Sequence, residues 1–195
     1  MSDYPEYVTI NNNKYKINTD FRVAIECNKI AEDGKIGDFE RFLAIIYLLF
    51  GEDAIKHTED YEKLLKLAEK YLSCGKELDT KSNEKPDMDF VEDYDYIEAS
   101  FMSDYHIDLS NTQMHWWKFF KLMEGLSNSE TGDCCILNRV RNLRNFDAKE
   151  IKDSKERQKI MKAKEQVALK KNKKEYHLTA EQERSMEQLN KILGL

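Results

Sequence analysis

Residues 38–51 read Asp38-Phe39-Glu40-Arg41-Phe42-Leu43-Ala44-Ile45-Ile46-Tyr47-Leu48-Leu49-Phe50-Gly51. Phe39, Phe42, Leu43, Ile46, Leu49 and Phe50 recur at spacings of three and four, the period of one helix face. Asp38 supplies a cap and Gly51 a stop. The spacing therefore predicts a helix over 38–50, the most apolar of the chain and the expected centre of the core. Its uninterrupted apolar run, 42–50, is far too short to span a bilayer, so no membrane association is expected.

The flanks of this helix read as more helix, with one exception. At the N-terminal side, Tyr7-Val8-Thr9-Ile10 and Lys14-Tyr15-Lys16-Ile17 alternate apolar and polar residues around Asn11-Asn12-Asn13. That pattern is a β-hairpin, because asparagine tolerates the left-handed backbone of a tight turn. Two strands alone are marginal in water, so the hairpin must lie on something. Thr19 or Asp20 then caps a helix running to about Asp33, before Gly34. Beyond Gly51, Thr58 or Asp60 opens a helix with Tyr61, Leu64, Leu65, Ala68 and Leu72 on one stripe, ending at Gly75.

Over 76–89 the apolar period disappears, which predicts a mobile acidic loop. Helical spacing resumes with Phe90, Tyr94, Ile97, Phe101 and Tyr105. After a polar break at 108–112 comes a block of Met114, Trp116, Trp117, Phe119, Phe120, Leu122 and Met123, closed by Gly125. Thr131 is placed to cap a helix with Cys135, Ile136, Val140 and Leu143. From 147 to 174 apolar positions are too sparse for a heptad, and a long, exposed, isolated basic helix is expected. Thr179-Ala180-Glu181-Gln182 fits a capping box, with Met186, Leu189, Ile192 and Leu193 forming a final amphipathic stripe. The expected fold is mainly α: a helical domain, 1–146, with a small N-terminal β-hairpin, and an extended basic helical tail, 147–195.

The chain has 195 residues, with 35% charged and 41% apolar side chains, 2 prolines and 7 glycines, which suits a soluble helical protein. Its net charge of −6 conceals a split. Residues 77–108 carry 11 acidic and 2 basic side chains, whereas 139–174 carry 14 basic and 5 acidic. Either the two segments meet inside the molecule, or one faces a partner. Four cysteines, Cys27, Cys74, Cys134 and Cys135, show no C-x-x-C spacing and follow no secretory leader, so structural thiols in a reducing cytosol are expected.

No phosphate-binding glycine loop, nucleophile elbow, zinc-protease, EF-hand or dinucleotide motif is present. No catalytic residue, cofactor or metal site is expected. His115, beside the tryptophans, reads as a structural histidine, and His106 as a helix-end residue. Trp116 and Trp117 differ in direction by about 100° on a helix. Either both enter the core, or the second anchors a partner, since aromatic anchors typify interface hot spots. Trp116, Trp117, Phe120 and Met123 are thus candidate partner-binding residues, joined by the basic Arg139, Arg141 and Arg144. The run from Arg139 to Lys174 also allows a nucleic-acid or regulatory reading. Scarce aromatics for stacking and an acidic total favour an acidic protein partner, or pairing with the chain's own acidic segment.

The stretches Val8-Thr9-Ile10-Asn11-Asn12-Asn13-Lys14-Tyr15-Lys16-Ile17 and Asp20-Phe21-Arg22 resemble the opening of short proteins encoded in tail modules of phages and prophages of Gram-positive bacteria. With Ser100-Phe101-Met102-Ser103-Asp104-Tyr105-His106-Ile107-Asp108-Leu109, Met114-His115-Trp116-Trp117-Lys118-Phe119 and Leu122-Met123-Glu124-Gly125-Leu126, the chain is similar to the bacteriophage gene-product-fifteen family over about residues 7–170. Genes of that family usually lie between the major tail protein and the tape measure, the position of tail-assembly chaperones. The resemblance implies a non-enzymatic virion-assembly role in the cytoplasm of the bacterial host. It implies protein partners, the tape measure or other tail-assembly proteins, with a homo-oligomer also open. Trp116 or Trp117, Phe120 and Met123 would then line an apolar groove for a helical client.

Overall fold

The computed structural model describes residues 4–76, 86–128 and 134–170. It is mainly helical, with eight α-helices among the described residues and a two-stranded hairpin at the start. Strands β1 (Tyr7–Ile10) and β2 (Asn13–Lys16) pair antiparallel, Tyr7 opposite Lys16 and Ile10 opposite Asn13. The turn is two residues long: Asn11 and Asn12 have φ of 46° and 69°, the pair of left-handed conformations a tight hairpin requires. β2 therefore starts one residue earlier than the alternation suggests.

The hairpin's support is a carboxylate. Asp60, fully buried, accepts hydrogen bonds from Asn11 Nδ2 at 2.7 Å, Asn13 Nδ2 at 3.1 Å and Tyr15 Oη at 2.7 Å. It sits in a 3-10 turn, Thr58–Asp60, that leads into helix α4 (Tyr61–Leu72). The turn asparagines thus shape the hairpin and also fasten it to the helix behind. The hydrogen bond from Tyr15 is the main cause that lowers the Asp60 carboxyl below its ordinary value. Burial first, and the hydrogen bond to Asp60 second, push the Tyr15 phenol up to about 12.

Helix α1 (Phe21–Glu32) starts where Asp20 accepts the backbone N–H of Arg22 at 2.9 Å. Helix α2 (Asp38–Phe50) runs to Gly51, whose φ of 81° suits glycine, and a short α3 (Glu52–Lys56) follows. After α4, Gly75 at φ 74° donates its N–H back to Lys70 O at 2.8 Å. Helices α5 (Tyr94–Tyr105), α6 (Trp116–Glu124) and α7 (Ile136–Asn145) complete the body. The core centres on stacked rings: Phe119 lies 4.6 Å from Phe21 and 5.1 Å from Phe101, both nearly parallel. Two backbone bonds, Phe21 N–H to Met114 O at 3.0 Å and Trp116 N–H to Thr19 O at 2.8 Å, hold the starts of α1 and α6 together.

Two expectations change. Helix α2 is not central: Ile45, Ile46, Leu49 and Phe50 are buried, but Phe39 is 61% and Tyr47 52% exposed. Over its described residues, 147–170, the basic tail is not one isolated helix. Asp147 and Asp153 accept the N–H groups of Lys149 and Glu156 and restart the backbone, giving a 3-10 turn (Ala148–Glu150) and then α8 (Ser154–Val167). Helix α8 lies against α7, and Leu169 just beyond it is buried. Most of the acidic loop, the Thr131 cap and the final amphipathic stripe fall outside the described residues.

Candidate functional site

The tryptophan block is built from its cap. His115 Nδ1 accepts the N–H of Trp117 at 3.0 Å, and its Nε2 lies 3.1 Å from Pro5 O. With the carbonyl as acceptor, Nε2 carries the proton. Burial lowers the His115 pKa and favours this neutral form. The cap aims both indoles at the last turn of α4: Trp116 Nε1–H donates to Leu72 O at 3.0 Å and Trp117 Nε1–H to Tyr71 O at 2.9 Å. Both carbonyls are among the last four of α4, which have no partner within the helix; Tyr71 O also accepts the Cys74 N–H at 3.0 Å, so α6 helps to cap α4.

Trp116 is 1% exposed, and Met123 is also buried. Trp117 is half-buried against the Tyr71 ring at 6.2 Å, next to Gly75, where a Cβ would sit 3.5 Å from the indole. Phe120 is half-buried under Lys76 Nζ, 4.9 Å above its ring, and Lys76 also pairs with Glu124. Trp116, Phe120 and Met123 come together on α6, but they face the protein's own helices. The part of the block that reaches solvent is the flank of Trp117 and Phe120.

The acidic and basic segments meet. Arg144, 9% exposed, clasps Asp93, 1% exposed, through Nη1 and Nη2, both at 2.7 Å. The same guanidinium donates to Asp87 O at 2.8 Å and to Val167 O at 2.6 Å. One side chain on α7 thus holds the approach to α5 and the end of α8. The bond to Asp93 is the main cause that raises the Arg144 pKa. Arg141 pairs with Asp87 at 3.2 Å, and the Lys170 N–H lies 3.0 Å from Glu92. Arg139 is exposed and lines a different cleft, with Asp104 and Cys134. The three arginines therefore do not form one surface: two are internal staples and one faces solvent.

Two outward faces lie elsewhere. On α8, Arg157 bonds to Ile151 O, Lys164 bonds to Phe146 O, and Ile160 and Val167 turn inward. Lys155, Lys159 and Lys162, at i, i+4 and i+7, form an exposed stripe without ion pairs among the described residues. On α2 the exposed Tyr47 and the half-buried Leu43 and Ala44 lie on the outward side, while Phe39 is exposed at the N-terminal end of the stripe that carries the buried Ile46. Sequence periodicity missed this second face, although the unbroken run 42–50 signals it: a helix apolar all round has apolar surface left over once one side is buried.

Among the described residues no group of three or more His, Cys, Asp or Glu is arranged to hold a metal, and no helix is long and apolar enough to cross a membrane. Among the described residues the fold defines a mainly helical protein whose aromatic block is turned inward and whose α2 and α8 each keep an exposed side. A family model described as Bacteriophage Gp15 protein matches residues 1–169, and the chain belongs to that family. It is a phage structural or assembly-related protein. No curated protein and no solved structure matches it.

Proposed function

We propose that this protein is a non-enzymatic, chaperone-like tail-assembly factor that acts in the cytoplasm of the bacterial host and binds the tape measure protein or a partner chaperone. The observation that supports this reading most is the α8 stripe of Lys155, Lys159 and Lys162, which is free of internal partners among the described residues on a chain of this phage family. Rim charges of this kind steer association and set partner choice while adding little to affinity. A factor that must later give up its client needs that balance. The Arg144 staple fixes α8 to the body, so the stripe is presented on a supported helix.

Co-expression with the tape measure protein encoded beside it, followed by pull-down, tests the reading. The wild type is expected to retain the tape measure, and the Lys155→Glu/Lys159→Glu/Lys162→Glu variant to lose it. Failure of the wild type to capture either the tape measure or a neighbouring tail protein would count against it. The same stripe leaves a nucleic-acid reading as the alternative. That reading requires DNA or RNA binding that weakens steeply with salt, and a flat titration at low salt removes it.

A further inference from the structure

The last described residues are fastened beside an apolar groove that the assembly reading leaves unused. Leu169 is buried, and the N–H of Lys170 bonds to the Glu92 carboxylate at 3.0 Å. Glu92 is next in sequence to Val91, 47% exposed, on a groove of about 280 Å³ between α1 and the start of α5. Ile25, Phe90, Val91 and Tyr94 line it. Its charged members are already engaged: Glu26 pairs with Lys29, and Arg22 with Asp20. The groove therefore suits an apolar side chain better than an ionic one. Outside it, Glu92 and Asp95 are exposed and without an ion pair among the described residues.

We propose that the chain's own C-terminal segment, 171–195, folds back over the start of α5 and lays its apolar stripe in this groove. The segment lies outside both the described residues and the family match, 1–169. The order of its residues fits the order of the surface. Lys171, Lys173 and Lys174 follow directly on Lys170, where Glu92 and Asp95 supply the opposite charge. Residues 171–178 reach up to ~25 Å when extended, enough to carry the capping box at 179–182 across Val91. Beyond it Met186, Leu189 and Leu193 recur at three and four, the spacing with which one helix face enters an apolar groove. Attachment to the same chain raises the effective concentration of the stripe at the groove to the order of mM. A shallow groove is thus covered without a second chain, and two apolar surfaces that would each invite other proteins are joined to one another.

The proposal does not rest on tape-measure binding, and its test uses the full chain alone. Hydrogen exchange read by mass spectrometry is expected to be at least ~10-fold slower over 183–193 than in an unstructured chain, whatever the protein concentration. Val91→Glu, at an exposed position, and Leu189→Glu, in the segment itself, are each expected to abolish that protection while α1 and α5 keep theirs. In a Cys134→Ser background, Val91→Cys with Leu189→Cys is expected to form a disulfide within one chain under mild oxidation. Tyr47→Cys with Leu189→Cys, which tests the exposed side of α2 instead, is not. Exchange at free-chain rates over 183–193, protection untouched by Val91→Glu, or the Tyr47→Cys pair cross-linking as readily would each overturn the proposal. Protection that appears only at high concentration, or a Val91→Cys/Leu189→Cys disulfide between two chains, would assign the groove to a second copy and overturn it too.

Discussion

Removing the Arg144 guanidinium is the perturbation whose cost the structure sets out most fully. Arg144→Ala leaves the Asp93 carboxylate, 1% exposed, with the Asp89 N–H at 3.0 Å as its remaining hydrogen bond among the described residues, and it takes donors from Asp87 O and Val167 O. Breaking a buried pair by deleting one partner costs ~3–5 kcal/mol, because the other charge stays buried without compensation. That is a large share of the ~5–15 kcal/mol typical of a whole domain. Arg144→Lys keeps the charge but loses the two-pronged fork, so its loss is expected to be smaller yet still more than ~1 kcal/mol. Replacing both partners, Arg144→Met with Asp93→Leu, is expected to recover most of the loss, as buried ion pairs often exchange for apolar packing at little cost. Urea unfolding followed by circular dichroism gives the magnitudes, and hydrogen exchange over 154–167 reports whether α8 loosens with the staple. A loss below ~1 kcal/mol in Arg144→Ala, with unchanged exchange in α8, would refute the claim that this residue joins the segments.

Three further outcomes are expected. The Asp60–Tyr15 clamp gives stability a window in pH. With the Asp60 pKa lowered, its contribution is complete above the ordinary carboxylate value of about 4 and fades as pH falls through the lowered one; with Tyr15 raised to about 12, its contribution is complete below about 10 and fades toward 12. Urea midpoints of Asp60→Asn against pH should show a smaller acid limb than the wild type, because the Asp60 share of it is gone, and identical profiles would contradict the clamp. Trp116→Ala should cost ~3–5 kcal/mol as a core truncation, whereas Trp117→Phe, which keeps the stack on Tyr71 and loses one hydrogen bond, should cost ~1 kcal/mol; equal losses would mean that the indoles are not divided in this way. Thiol alkylation read by mass spectrometry should mark the half-exposed Cys134 first. Cys27 and Cys74, both pushed up to about 12 by burial, and the buried Cys135 should lag, so early labelling of Cys27 would contradict the packing.

Much of the fold was legible because its signals are local. The stripe Tyr61, Leu64, Ala68 and Leu72 marked α4, Asp20 marked the start of α1, and the asparagines marked the hairpin turn. What escaped depends on residues far apart in the chain. Asp60 meets Tyr15 across 45 positions and Arg144 meets Asp93 across 51, and no window of periodicity spans such pairs. For the same reason the charge split could be seen but not resolved into staples and a free stripe. The tryptophans were placed correctly on a helix, yet the role of their N–H groups in closing α4 depends on a helix 44 residues away. Helix α2 failed as a core centre for a different reason: periodicity assigns a buried face, and in a helix apolar all round it cannot say which side stays outside.

Deletion of the gene from an intact phage or prophage, with tails counted by electron microscopy of induced lysates, tests the assembly role most directly. The account predicts that finished tails disappear, that the wild-type gene supplied in trans restores them, and that the Lys155→Glu/Lys159→Glu/Lys162→Glu gene does not. Normal tails in normal numbers without the gene would contradict it.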